Sequence, residues 1–155
     1  NISSLHEDFR RRIENYPGLG TPISSIDEIQ GGATQFLVIL DAQQLQLHGD
    51  IQQKLSTYSV IRSTSPIDNQ AIWTEIFAPE VNKGTSCQLL LNQLNLRYEE
   101  CAGLGNDYND IDFLNRCGHP FVVSNAPESL REQFDTMPAA EDNGLAAFVR
   151  HSLNL

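Results

Sequence analysis

Residues 103–114 read GLGNDYNDIDFL, and the fold turns on how that stretch is read. A short apolar run ends at Leu104. Asn106, Asp107, Asn109, Asp110 and Asp112 then crowd five oxygen-bearing side chains into the entrance of an apolar-periodic segment. Taken alone, such a cluster is an acidic turn capping a helix. It becomes a site only if a cation and a phosphate partner occur elsewhere in the chain.

Working outward, the segments around it alternate. NKGTSCQLLLNQLNL is helical, EECAGL is a short strand, DIDFLNRC a helix and PFVV a strand. APESLREQF then makes a helix entered by Pro127, and NGLAAFVRHSL a closing helix. Helices of this length between strands predict a parallel sheet with crossover connections. Upstream the pattern differs. SSLHEDFRRRIENY predicts a helix capped by Ser3 or Ser4, with Leu5, Phe9 and Ile13 on one face and Arg10–Arg12 on a solvated one. FLVIL and YSVIRS are strand-sized apolar runs on either side of a helix through Leu45, Leu47, Ile51 and Leu55, which Asp41 caps. In AIWTEIFAP, Ile72, Thr74 and Ile76 alternate with Trp73, Glu75 and Phe77, the period of a half-buried strand. The chain is therefore α/β: a small α+β lobe over 1–78 and an α/β region over 79–155, with the turn at Ala78 to Gly84 as the boundary.

Composition narrows the function. A formal net charge of −10 excludes a phosphate-neutralising surface for nucleic acid. No apolar run approaches the roughly 18 residues that span a bilayer. Cys87, Cys101 and Cys117 are odd in number and widely spaced, which suits free thiols in a reducing cytoplasm. The four histidines make no metal-ligand spacing. An EF-hand counted from Asp107 would put Gly118 where a bidentate glutamate belongs.

In a parallel sheet, ligands gather at the carboxyl ends of the strands. Two loops there carry polar groups, GNDYND after Leu104 and SNAPES after Val123. Lys83 is one of two lysines in the chain and stands at a helix entrance before Gly84, where a flexible point charge can meet a phosphate.

VNKGTSCQLLLNQL followed by GNDYNDIDFLNRCGHPFVVSNAPESLRE resembles the C-terminal half of the haloacid dehalogenase (HAD) phosphatases, in the Cof-like branch with an α/β cap inserted in the core. Lysine in a KG helix entrance, G-D-x-x-N-D, an apolar helix, a strand and an NA turn occur in that order. The resemblance covers Ala78 to Leu153, and 1–77 matches the cap by pattern and position. It implies a HAD-like Rossmannoid core with a small α+β cap lobe, acting as a Mg2+-dependent hydrolase of a small phosphorylated metabolite such as a sugar phosphate, through an aspartyl-phosphate. Lys83 and Asp110 match catalytic positions, Lys83 and Asn125 substrate-binding ones, and Asn106, Asp107, Asn109 and Asp110 the metal loop. Two departures matter. Asn106 stands where the pattern has its first metal-binding aspartate, so either its amide oxygen or the neighbouring Asp107 serves the metal. No D-x-D-G-T nucleophile motif occurs, and the chain opens on Asn1 rather than Met. The expectation is that the N-terminal core segment is a missing partner and these residues alone are inactive. A degenerate relative that binds phosphate or a protein partner is the alternative reading, and an unrelated flavodoxin-like domain is a third.

Overall fold

The computed structural model describes residues 6–154, so Ser3, Ser4 and Leu5 lie outside the described residues. The chain divides into two compact units, Asn1–Pro79 and Glu80–Leu155.

The first unit holds α1 (Glu7–Asn15), β1 (Phe36–Leu40), α2 (Leu45–Lys54), β2 (Ser59–Thr64) and β3 (Ile72–Phe77). β3 is the middle strand of an antiparallel sheet ordered β1-β3-β2. Its alternation sorts the side chains: Ile72 and Thr74 are buried, while Trp73, Glu75 and Phe77 on the opposite face are half-buried. His48 of α2 covers the buried face, its Nδ1 2.9 Å from Thr74 Oγ1. Burial, with help from the Arg62 charge, holds the His48 imidazole below its usual pKa. His6 is the N-cap of α1, its Nδ1 accepting from the Asp8 N–H at 3.2 Å. Asp8 is fully buried, accepting from Trp73 Nε1 at 3.0 Å and from the Ser65 hydroxyl. That carboxylate, with Arg12 stacked 4.8 Å over the Trp73 ring, pins α1 to β3. Of the three-arginine run, then, Arg10 and Arg11 pair with Glu7 as a solvated face would, and Arg12 instead covers an aromatic ring. Asp41 caps a 3-10 turn over Ala42–Gln44 that leads into α2.

The second unit contains α3 (Lys83–Leu94), β4 (Ala102–Gly105), α4 (Ile111–Leu114), β5 (His119–Val123), α5 (Glu128–Arg131), β6 (Asp135–Met137) and α6 (Gly144–Leu153). Its sheet is parallel, ordered β4-β5-β6, with Gly105 beside Val122 and Val122 beside Thr136. Leu114, Val122, Val123, Ala126 and Leu130 form the core beneath it. β6 is not anticipated by the sequence. Three residues carry no readable period, and DTM becomes a strand because β5 offers it an open edge. α4 and α5 are single turns rather than full helices. Beyond the end of α4 the Gly118 N–H donates to the Tyr98 carbonyl at 2.9 Å. No helix among the described residues is long and apolar enough to cross a membrane.

Candidate active site

Lys83 opens α3. Asn82 caps that helix, its Oδ1 accepting from the Thr85 N–H at 2.7 Å and the Thr85 hydroxyl at 3.0 Å. The first turn then packs closely on α4: a Cβ on Gly84 would lie 3.0 Å from the Asp112 carbonyl oxygen, so glycine permits the approach. Tyr98 also donates its hydroxyl to the Gly84 carbonyl.

From this position Lys83 reaches the loop that follows β4. Its Nζ donates to Asn109 Oδ1 at 3.2 Å and forms an ion pair with Asp110 Oδ1. The other carboxylate oxygen of Asp110 accepts from the backbone N–H groups of Asn106 at 2.7 Å and Asp107 at 3.2 Å. The loop therefore closes on one carboxylate, with Asp107 and Asp110 forming a capping box around the 3-10 turn Tyr108–Asp110. Gly105 makes the closure possible, since a Cβ there would meet Leu114 Cδ1 at 2.7 Å and Asp110 Cβ at 2.8 Å. The pair is unequal in exposure: the Lys83 side chain is 48% exposed and that of Asp110 4%. A cation held on a buried carboxylate but open to solvent is placed to meet an anionic ligand.

Asn106 and Asn125 line a second feature, a cavity of about 590 Å³ at the carboxyl ends of β4 and β5, walled by Leu104, Val123 and Leu145. Asn125 Nδ2 donates to Glu141 Oε2 at 3.2 Å. With its amide nitrogen turned to Glu141, Asn125 has its Oδ1 left as the acceptor for anything else. Glu141 was not singled out from the sequence. Its cue is the turn AEDN ahead of α6, where Asn143 adopts a left-handed conformation at φ 62°.

The structure thus gathers Lys83, Asn109 and Asp110 side chain to side chain, and adds Asn106 and Asp107 through their backbones. Asn125 bonds to none of them and shares only the cavity with Asn106. Among the described residues, no group of three or more His, Cys, Asp or Glu side chains is arranged to hold a metal ion. Asn109 and Asp110 are turned to Lys83. Asn106 lines the cavity beside the acid Asp107, whose carboxylate takes part in the capping box; amide and carboxylate oxygens are the hard donors that suit a cation such as Mg2+, with other polypeptide to complete the set.

The flanking thiols are not activated. Burial, and then the neighbouring Cys101 and Cys87, push the Cys117 thiol up to about 11, and burial also raises Cys101. Both are small packing groups, with Cys117 Sγ only 2.9 Å from where a Cβ on Gly103 would stand.

The sequence profile of the haloacid dehalogenase-like hydrolases matches residues 3–149. The chain is 37% identical over 73 residues to a phosphoglycolate phosphatase of Methanothermobacter thermautotrophicus, an overlap of 46% of this chain and 33% of that protein. It is 30% identical over 76 residues to an HMP-PP phosphatase of Yersinia enterocolitica, 47% of this chain and 28% of that one. Among solved structures, a Streptococcus mutans UA159 protein superposes with a TM-score of 0.75 at 16% identity, over 98% of this chain and 56% of its own. A phosphatase of the haloalkanoate (HAD) superfamily from Bacteroides thetaiotaomicron gives 0.73 at 18% identity, over 97% and 54%. The matched residues thus span about a third of the curated relatives and about half of the solved chains.

Proposed function

The chain belongs to the haloacid dehalogenase-like hydrolase family, and from that premise we propose that it is part of a phosphatase acting on a small phosphorylated metabolite. The unit Glu80–Leu155 is the C-terminal part of the catalytic core, and the unit Asn1–Pro79 is its cap lobe. The observation that carries this reading is the Lys83–Asp110 pair, which joins the start of α3 to the loop after β4 at the carboxyl end of a parallel sheet. The relatives' phosphatase names support it.

In this reading each residue has a distinct task. Asp110 holds the Lys83 ammonium in place while Asn109 fixes its direction. Lys83 neutralises oxygens of the phosphoryl group, which is most of what such a transfer requires of a protein. Asn125, oriented by Glu141, presents an acceptor at the cavity edge. Asn106 and Asp107 would hold Mg2+, which when bound supplies further charge neutralisation at the phosphate. The nucleophilic carboxylate attacks phosphorus and breaks the substrate's P–O ester bond, the alkoxide taking a proton to leave as the alcohol; water then hydrolyses the aspartyl-phosphate to phosphate and the free carboxylate. Since no D-x-D-G-T motif occurs in these residues, that carboxylate comes from polypeptide outside them. Three free thiols suit the cytoplasm.

One observation favours a second reading. Asn106 brings no charge to the metal, which fits a relative that binds phosphate without hydrolysing it. A polypeptide in which these residues follow a D-x-D-G-T segment decides between them. Phosphate release from p-nitrophenyl phosphate with Mg2+, lost in Lys83→Met, is the expected result. Phosphate binding without release in that polypeptide would overturn the phosphatase reading.

A further inference from the structure

In the first unit, the outer stripe of α1 lines an open groove. Phe9, Arg12, Ile13 and Tyr16 fall at i, i+3, i+4 and i+7 along the helix and its C-cap, the spacing of one helical face. The chain then turns back on itself. Pro17 presets the backbone, Gly18 takes φ 81°, and the Leu19 N–H donates to the Tyr16 carbonyl at 3.2 Å, as in a type II turn. Leu19 and Gly20 thereby complete the walls of a cavity of about 320 Å³ begun by the helix stripe. That volume stands at the lower end of the roughly 300–1,000 Å³ of small-ligand pockets. Phe9, Ile13, Tyr16 and Leu19 are all exposed, so the groove is open to solvent.

Arg12 is the one cation of this lining. Its guanidinium carbon sits 4.8 Å over the Trp73 ring, and Asp8 holds that ring by its indole N–H. A guanidinium carries its N–H donors in its own plane, so stacking occupies a face and leaves the donor edge free. Among the described residues, no carboxylate pairs with Arg12 and no acceptor takes a hydrogen bond from it, whereas Arg10 and Arg11 both pair with Glu7. We propose that this groove binds a small carboxylate with an apolar body, its carboxylate on the free edge of Arg12 and its body against Phe9, Ile13 and Leu19. The planar fork matches a carboxylate in shape, and a neutral ligand would forgo those charge-assisted hydrogen bonds. Charge balance selects a monoanion: the second charge of a phosphate monoester would face apolar walls without a partner. Trp73 and Asp8 are positioning residues, since they hold Arg12 without meeting the ligand. The site lies wholly within the first unit and is independent of the phosphatase reading.

Trp73 is the single tryptophan of the chain, so intrinsic fluorescence reports on the ring beneath Arg12. The test titrates the whole chain with octanoate, 1-octanol and octyl phosphate at about pH 8, where the phosphate ester is a dianion. We expect a saturable change with octanoate, an affinity about tenfold weaker for 1-octanol, and octyl phosphate no tighter than octanoate. Arg12→Met should bring octanoate down to the level of 1-octanol and leave 1-octanol unchanged. Since that variant also bares the Trp73 ring and can loosen α1, Leu19→Glu is the second one. Leu19 is 83% exposed, so the fold tolerates the change, and the new carboxylate should abolish octanoate binding by repelling the ligand or taking its place on Arg12. Equal affinities for octanoate and 1-octanol, tighter binding of octyl phosphate, octanoate binding that survives both variants, or no saturable response would each overturn the proposal.

Discussion

Removing Lys83 and removing Asp110 should differ in cost, although the two share one ion pair. Lys83 is half-exposed and Asp110 almost wholly buried. In Lys83→Met the carboxylate stays buried but keeps its two backbone donors, the Asn106 and Asp107 N–H groups. Losing one partner of a fully buried pair costs about 3–5 kcal/mol. The solvent path opened by a half-exposed lysine reduces this to about 2 kcal/mol. In Asp110→Ala the ammonium simply turns to water, but two N–H groups lose their acceptor. At roughly 1–3 kcal/mol for each unsatisfied group, the total is about 4 kcal/mol. Asp110→Asn keeps one carbonyl oxygen for the loop and should fall between them. Native-state amide exchange at Val122, in the core of the same unit, reads that unit's opening free energy directly. The reasoning is refuted if Lys83→Met costs as much as Asp110→Ala, since the carboxylate would then be held by the lysine rather than by the loop.

Other consequences are equally direct. His48 has a lowered pKa in the fold, so the unfolded chain binds its proton more readily. Stability of the first unit is then complete above about pH 6.5 and falls as pH drops below it, and His48→Gln should flatten the Trp73-monitored melting profile between pH 8 and 5. Cys117, with a thiol pushed up to about 11, should resist iodoacetamide at pH 8 in the folded chain and react readily once urea exposes it, as intact mass would record. Gly105→Ala must displace Leu114 or Asp110 and should cost about 1–3 kcal/mol, seen as faster exchange at Val122. Asn106→Asp adds a charge where the metal is proposed to sit, so it should tighten Mg2+ binding by calorimetry. An unchanged affinity would place the metal elsewhere.

Much of this molecule was legible as a string. Period-two alternation in IWTEIF identified a strand and sorted its two faces, because burial of one face is a local property of spacing. Lys83 before Gly84, and the Asn–Asp run after Leu104, marked both halves of the candidate site for the same reason: each half is a turn with its own chemistry. What the string hid was anything decided by a distant neighbour. β6 is a strand because β5 leaves an edge for it, and DTM carries no sign of that. Nothing in its neighbours along the chain sets Asp8 apart, yet Trp73 and Ser65, 65 and 57 residues on, make it a fully buried anchor.

The same division runs through the site itself. Sequence alone determined that a lysine, three asparagines and two aspartates would stand at helix entrances and strand ends, since capping and periodicity act over three or four residues. Tertiary structure decided how those groups were allocated. Asp110 gives one oxygen to Lys83, 27 residues away, and the other to its own loop, while Asn106 lines the cavity. The physical reason is that a carboxylate's partners are chosen by which donors the packing brings within about 3 Å. That choice belongs to the fold as a whole, because the glycines that admit the contact, at 84 and 105, are read only against the atoms they let approach.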